Sequence, residues 1–136
     1  IDPKKANKVI DKLLKNSDKW NIVLLSCNGT VENIRSNLPI KKVKFCQTAS
    51  SYLIKKDYAK KLRNHWIDKL ANIAKFKLFN PDAPESHGNS TFRNAHMDVN
   101  WGELQKEDTW YCTKPILGKQ RASYSDIMKG NVNYGV

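Results

Sequence analysis

Long apolar runs are missing from this sequence. The longest unbroken run is the four-residue stretch at 22–25, whereas a membrane-spanning helix needs about 20 consecutive apolar residues. The first residues, Ile1-Asp2-Pro3-Lys4-Lys5, lead into an amphipathic segment and have neither the apolar block nor the small-residue cleavage site of a secretory signal. The sequence therefore predicts neither a transmembrane segment nor a secretory signal.

Cysteine is also scarce. Cys27, Cys46 and Cys112 are widely spaced, odd in number and without a C-x-x-C pair, so neither a disulfide scaffold nor a zinc ribbon is predicted. We expect a reducing, cytoplasmic compartment, which would be the host cytoplasm for a viral protein. A lumenal location stays open as the alternative.

Acidic residues are few, with 13 Asp and Glu against 24 Lys and Arg, and the formal net charge is +11. Such a charge suggests nucleic acid or an anionic surface as a partner. The lysines are nevertheless spread along the whole chain. We therefore favour an ordinary solvated surface over a nucleic-acid groove, and do not expect nucleic acid as the partner.

The common catalytic signatures are absent as well. The sequence has no Walker loop and no G-x-G-x-x-G, G-x-S-x-G or H-E-x-x-H motif, which removes the usual signatures of nucleotide, hydrolase and zincin chemistry. His87 and His96 flank a polar loop, but a metal centre needs three or four convergent ligands. Ordinary loop histidines are the favoured interpretation.

What is present predicts one α/β domain over residues 1–136, because 136 residues with 40% hydrophobic content can bury a core. Asp2 and Pro3 suit the start of a helix over 3–16, with Ala6, Val9, Ile10, Leu13 and Leu14 at helical spacing. The apolar run of residues 20–25 is typical of a strand buried on both faces. A mixed sheet flanked by helices is the predicted architecture.

Further elements are predicted along the chain. Strands are expected at 43–45, 51–54 and 109–112, with irregular structure at 31–42 and no clear period after Gly118. Asp57 is a candidate cap for a helix with Ala59, Leu62, Trp66, Leu70 and Ile73 at steps of three or four. Residues 80–97 are expected to form a long loop, and Asp98 then begins a short helix. Asp98 is either an N-cap or a general base near the edge of the sheet.

Four segments, taken in order, resemble the C-terminal half of glycosyltransferase family 25. They are Trp20 to Cys27, Gln47 to Leu62, His96 to Gln105, and Lys114 to Ile127, the last containing Gln-x-x-x-Tyr-Ser-Asp-Ile. That family includes bacterial lipooligosaccharide galactosyltransferases, collagen β-galactosyltransferases and relatives encoded by giant viruses. The resemblance runs from about Asp2 to Tyr134.

The resemblance implies a partial GT-A-like fold that transfers a sugar from a nucleotide donor, commonly UDP-linked, to a glycan or protein acceptor with Mn²⁺ or Mg²⁺. It implies Asp98 as the catalytic base. It also implies an acceptor side formed by Thr48, Ser50 and Tyr52, and a closing motif over the donor cleft with Gln120, Ser125 and Asp126. The alternative is that Ser125 and Asp126 only cap a terminal turn.

One departure from the family pattern limits these implications. Family members have an acidic metal-binding cluster before the helix that here begins at Pro3, but Asp2 stands alone and Glu107-Asp108 precedes a predicted strand. Many GT-A enzymes also bind the metal through a histidine late in the chain, whereas no histidine follows His96 here. We therefore expect a piece of a longer transferase whose metal ligands lie outside this chain, with little or no activity alone. The alternatives are a basic nucleic-acid-binding module and a non-catalytic remnant that serves as an interaction domain.

Overall fold

The fold is a mixed α/β structure with a five-stranded sheet flanked by helices. The computed structural model describes residues 2–47, 50–84, 89–93, 96–118, 123–125 and 130–133. The helices are α1 (Pro3–Leu14), α2 (Lys56–Phe79), α3 (Ser90–Arg93), α4 (Met97–Asn100) and α5 (Gly102–Glu107), and a 3₁₀ turn spans Ser17–Lys19. The strands are β1 (Ile22–Leu24), β2 (Gly29–Glu32), β3 (Ile40–Cys46), β4 (Tyr52–Ile54), β5 (Trp110–Thr113), β6 (Ser123–Ser125) and β7 (Gly130–Val132).

The large sheet has the strand order β2-β3-β5-β1-β4. Its one parallel pair joins β1 to β5, with Leu24 opposite Cys112, and its other neighbours run antiparallel. All three β1 residues are buried, as predicted for a strand covered on both faces. The carboxyl ends of β1 and β5 therefore meet at one edge of the sheet.

Alternating residues divide the core into two layers, because successive strand side chains point to opposite faces. On one face Ile22, Leu24 and Cys112 pack with residues of α2 and α5. On the other face Val23 packs with Leu13 of α1. The prediction of a mixed sheet flanked by helices is therefore confirmed.

The first helix follows its sequence signals closely. The Asp2 carboxylate accepts a hydrogen bond of 2.9 Å from the Lys4 amide, and Pro3 occupies the first turn. The helix ends at Leu14, two residues before the predicted end, and the amide of Asn16 bonds the carbonyl of Leu13 with the tighter spacing of a 3₁₀ turn.

Three sequence predictions are wrong in detail. Residues 31–42, predicted as irregular, contain the end of β2 and the start of β3, which gain their regularity by pairing with each other. Asp57 is not the N-cap of α2, because the helix begins at Lys56 and its N-cap is Lys55. Leu70, placed on the apolar stripe of that helix, is 59% exposed, whereas Ile73 on the same stripe is half-buried.

The predicted loop over 80–97 contains α3 and the start of α4 in its described part. Near the C-terminus, where the sequence shows no clear period, β6 and β7 form an antiparallel pair. Among the described helices, none is long and apolar enough to cross a membrane.

Candidate functional site

Three distant segments meet where β1 ends. The Leu25 amide donates to the Ser51 carbonyl at 3.0 Å, and the amides of Leu117 and Gly118 both donate to the Leu25 carbonyl at 2.8 Å. Residue 25 is thus bonded on one side to the segment before β4 and on the other to the segment after β5. In an α/β sheet, ligands bind outside the carboxyl ends of parallel strands, and this junction lies there.

The junction is packed too closely for a side chain at position 118. A Cβ on Gly118 would lie 2.6 Å from Ser51 Oγ and 3.3 Å from Ser26 Cβ. Buried Ser26 also shares a hydrogen bond between hydroxyls with exposed Ser50. A residue as small as glycine therefore allows residues 117–118 to lie directly against residues 26 and 51.

The helical segment after the polar loop is bonded to the end of β3. Trp101 Nε1 donates to the Cys46 carbonyl at 2.7 Å, and Gln105 bonds both the amide and the carbonyl of Cys46 at 2.8 Å. Tyr52 meets the Trp101 ring edge to face, with ring centroids 5.9 Å apart. Sequence reasoning gave Gln105 no role, because a lone glutamine on a short helix has no signal of its own.

Asp98 lies inside α4 and is not its N-cap. The residue before that helix is His96, so the predicted capping role is wrong, and the half-buried Asp98 side chain belongs to the first turn. Two contacts from α2 hold α4 in place. Trp66 Nε1 donates to the Met97 carbonyl at 3.2 Å, and His65 Nε2 lies 3.0 Å from the Asn100 carbonyl. Since a carbonyl only accepts, this contact favours the His65 tautomer with its proton on Nε2.

A hollow of about 280 Å³ lies between the end of β3 and helices α4 and α5. Its lining comprises Phe45, Gln47, Val99, Asn100, Gly102, Glu103 and Lys106. Asp98 immediately precedes this lining but is not part of it. The hollow places polar side chains beside the segment predicted to bind an acceptor.

The other predicted site residues have mixed outcomes. Ser50 and half-buried Tyr52 flank the junction at the end of β1. Thr48, Gln120 and Asp126 lie outside the described residues, and Ser125 is described only as the end of β6. The roles predicted for Asp98 and for the closing motif therefore stay predictions.

A second cavity, of about 330 Å³, opens at the carboxyl edge shared by β1 and β5. Its lining includes the thiols of Cys27 and Cys112 and the lysines Lys41 and Lys114, together with Gly29, Val31, Thr113, Pro115 and Ile116. The Lys114–Pro115 peptide bond in this lining is cis. The cavity combines thiols and cationic groups with an apolar wall.

Asp108, which lies outside the position of the family's acidic cluster, has structural partners in this fold. Its carboxylate accepts bonds of 2.7 and 2.9 Å from Lys61 and one of 2.6 Å from the Tyr58 hydroxyl, which in turn accepts from Trp110 Nε1 at 3.0 Å. The Lys42 ammonium donates to the Asp108 carbonyl at 2.5 Å. This network joins α2 to the start of β5.

The network also shifts the acidity of its members. Burial raises the pKa of the Asp108 carboxyl, but the hydrogen bonds from Lys61 and Tyr58 and the charges of Lys61 and Lys42 outweigh it, so its net pKa lies below the ordinary value. Burial first, and then the bond to Asp108, raise the pKa of the Tyr58 hydroxyl. Asp108 is therefore held as an anion and Tyr58 as a neutral donor.

The side chains that line the cavity at the β1–β5 edge do not suit the expected Mn²⁺ or Mg²⁺, and the lining of the hollow beside β3 contributes a single carboxylate, that of Glu103. These cations prefer carboxylate, carbonyl and water oxygens, whereas the cavity at the β1–β5 edge offers thiols and ammonium groups. Within the described part of the chain, no three His, Cys, Asp or Glu side chains are grouped as metal ligands. We derive no step through a metal held by these residues.

Comparison of the chain with protein-family models, with curated proteins and with solved structures finds no significant match.

Proposed function

We propose that this chain is the acceptor-side part of a family 25 glycosyltransferase with a partial GT-A-like fold, using a nucleotide-linked sugar as donor. The observation that supports it is the set of backbone hydrogen bonds at Leu25. Its amide donates to Ser51, and its carbonyl accepts from Leu117 and Gly118. Three of the four segments that resemble the family meet there.

The remaining segment is joined to the same assembly. Trp101 and Gln105 bond the backbone of Cys46, directly before the second resembling segment, and Tyr52 packs on Trp101. A sugar acceptor needs a hollow with polar groups that fix its hydroxyls. The hollow beside Gln47, Asn100 and Glu103 offers amide and carboxylate groups of that kind.

The role proposed for Asp98 is that of general base. Its carboxylate would take the proton of the acceptor hydroxyl while that oxygen attacks the anomeric carbon and the bond to the nucleotide diphosphate breaks. Proton transfer by a positioned side chain contributes about 10²- to 10⁴-fold to the rate of such reactions. The anchoring of α4 by Trp66 and His65 would keep the carboxylate in place.

Acceptor binding is the direct test, because it requires no donor-binding residues. We expect a titration with galactose-terminated glycans or hydroxylysine-containing peptides to shift amide NMR signals at residues 50–54 and 97–105. Tyr52→Ala should weaken binding, while Tyr111→Ala, a change of the same type on the opposite face of the sheet, should leave the affinity unchanged. Absence of binding to every acceptor, with the fold intact, would contradict the proposal.

Turnover is the second test. With a UDP-sugar, Mn²⁺ and an acceptor, we expect the 136-residue chain to transfer little or no sugar, since its described residues supply no oxygen-rich metal site. In a longer protein that includes an acidic cluster, Asp98→Asn should reduce kcat by about 10²-fold or more, while Asp68→Asn on α2 should not. Robust metal-dependent transfer by the 136 residues alone would contradict the expected lack of metal ligands.

A second candidate, a non-catalytic interaction domain, is favoured by the end of α2. Leu78 and Phe79 are 76% and 79% exposed, and Ile67 and Leu70 are also exposed on that helix. Large exposed apolar side chains in one region are typical of protein contacts. Poor solubility that is cured by co-expression with an upstream segment, without acceptor binding, would favour this function.

The nucleic-acid alternative has no comparable observation. Two aromatic residues of the lysine-rich helix α2 could stack on bases, but Tyr58 is buried and bonded to Asp108, and the Trp66 indole donates to Met97. Base stacking requires an exposed ring face, and the Tyr58 ring does not offer one.

A further inference from the structure

The three cysteines, widely spaced in the sequence, converge through strand register. Cys112 of β5 lies opposite Leu24 of β1, and Cys27 follows shortly after β1 ends. Cys46 at the end of β3 lies opposite Gly29, two residues beyond Cys27. The half-buried Cys27 side chain packs against the core cluster that contains Cys46 and Cys112. Backbone pairing thus places Cys27 between the other two.

Only two of these thiols face the cavity at the carboxyl edge of β1 and β5. Cys27 and Cys112 are among its lining residues, whereas fully buried Cys46 is not. Both lining cysteines are reduced. Lys41, the cross-strand partner of Cys112, lines the same cavity. A small polar oxidant in this cavity would therefore meet two adjacent thiols and a cation.

The thiol pair is electrostatically unequal. The hydrogen bond from Cys27 and the charge of Lys41 lower the pKa of the Cys112 thiol against the opposing effect of burial. The bonds to Cys112 and Cys46, together with burial, raise the pKa of the Cys27 thiol. Since the thiolate is the nucleophile in thiol chemistry, these directions favour Cys112 as the attacking sulfur and Cys27 as the resolving one.

We propose that Cys27 and Cys112 are a redox-active dithiol, which hydrogen peroxide entering this cavity oxidises to an intrachain disulfide. The Cys112 thiolate attacks one peroxide oxygen, the O–O bond breaks, and the departing hydroxide takes up the proton that Cys112 released. Cys112 becomes a sulfenic acid. The Cys27 sulfur then displaces its hydroxyl, which leaves as water with the Cys27 proton.

The two steps balance. Two thiols lose two hydrogen atoms and two electrons, and one peroxide becomes two waters. Cys27 and Cys112 line one cavity and pack in one core cluster, and forming the disulfide would bring their sulfurs to about 2 Å. The disulfide would link β5 to the segment that follows β1.

The test maps the bond in the unmodified chain. The folded protein is treated with hydrogen peroxide, unfolded, alkylated at its remaining thiols, digested without reduction and analysed by mass spectrometry. We expect the loss of two free thiols per chain, a cross-linked peptide pair containing Cys27 and Cys112, an alkylated Cys46, and recovery of all three thiols with dithiothreitol. Three alkylated thiols after peroxide treatment, or a cross-link that contains Cys46, would overturn the proposal.

Variants sharpen the assignment. Cys46→Ala should still form the disulfide, whereas Cys27→Ser should stop at a Cys112 sulfenic acid that dimedone traps. Lys41→Gln should slow oxidation, and Lys44→Gln, on the same strand but outside the cavity lining, should not. Trapping of the sulfenic acid on Cys27 in the unmodified chain would contradict the assigned order of attack.

Discussion

The two faces of the sheet are stabilised in different ways. The face covered by α2 and α5 contains polar groups inside its core, with Trp101 and Gln105 bonded to the Cys46 backbone. At its margin Tyr58 joins Asp108 to Trp110. Among the described residues, the buried cluster on the face covered by α1 contains a comparable bond from Trp20 Nε1 to the Leu13 carbonyl at 3.0 Å, and its other members are apolar.

This difference follows from the lengths of the helices. The twelve residues of α1 form an amphipathic helix that burial of one apolar stripe can hold. Helices α4 and α5 have four and six residues, and helices this short are unstable in water without tertiary contacts. Directional bonds to the backbone of β3 fix α5 in position. The candidate acceptor site therefore lies on the face whose core includes directional polar bonds to the strand backbone as well as buried apolar side chains.

The largest expected effect is that of Trp101→Ala. The change removes a fully buried ring, its bond to Cys46 and its edge-to-face contacts with Tyr52 and Trp110. We expect a loss of about 3–5 kcal/mol in the free energy of unfolding, measured by urea denaturation. Trp101→Phe keeps most of the ring but not the donor, so it should cost less. A loss below about 1 kcal/mol for the alanine variant would mean that the polar bonds do not hold this face.

On the opposite face, Leu13→Ala should cost about 2–5 kcal/mol, because Leu13 is fully buried in the apolar cluster beneath α1. Leu14→Ala is the matched control, since the neighbouring leucine is 53% exposed. It should change stability by less than about 0.5 kcal/mol. If both variants lost the same free energy of unfolding in thermal or urea denaturation, α1 would not pack on the sheet through the face that contains Leu13.

Sequence pattern predicted the elements whose signals are local. The cap at Asp2 and the apolar spacing of Val9 and Leu13 were enough for α1, and the uninterrupted run at 22–24 was enough for a buried strand. Both signals arise from residues within one turn of helix or one strand. The mixed sheet followed from them because a strand buried on both faces requires a covered sheet.

Contacts set by strand register could not be predicted in the same way. The full length of β3 depends on its pairing with β2 and β5, and nothing local near Pro39 signals it. The meeting of Cys27 with Cys46 and Cys112 depends on two separate pairings. Asp98 was misplaced as a cap because its helix begins at Met97, two residues earlier than a cap at Asp98 would require. The contacts of Ser50 with Ser26 and of Tyr52 with Trp101 likewise join segments far apart in sequence, and no local signal predicts them.

The smallest expected effect is a pH dependence at the margin of the polar face. Because the pKa of Asp108 is lower in the folded chain than its ordinary value of 3.8, its ionised form adds stability above that ordinary value. This contribution is lost as the pH falls through the folded pKa. Asp108→Asn should therefore lower the free energy of unfolding by about 1 kcal/mol at neutral pH. When the free energy of unfolding is measured by urea denaturation at several pH values, its decrease at acidic pH (the acid limb of the profile) should be smaller in this variant. Asp18→Asn, at an exposed position in the 3₁₀ turn, should leave that limb unchanged. An unaltered acid limb in the Asp108 variant would show that Lys61 and Tyr58 do not bind the ionised carboxylate more strongly than its protonated form. The two faces of the sheet would then differ in packing alone.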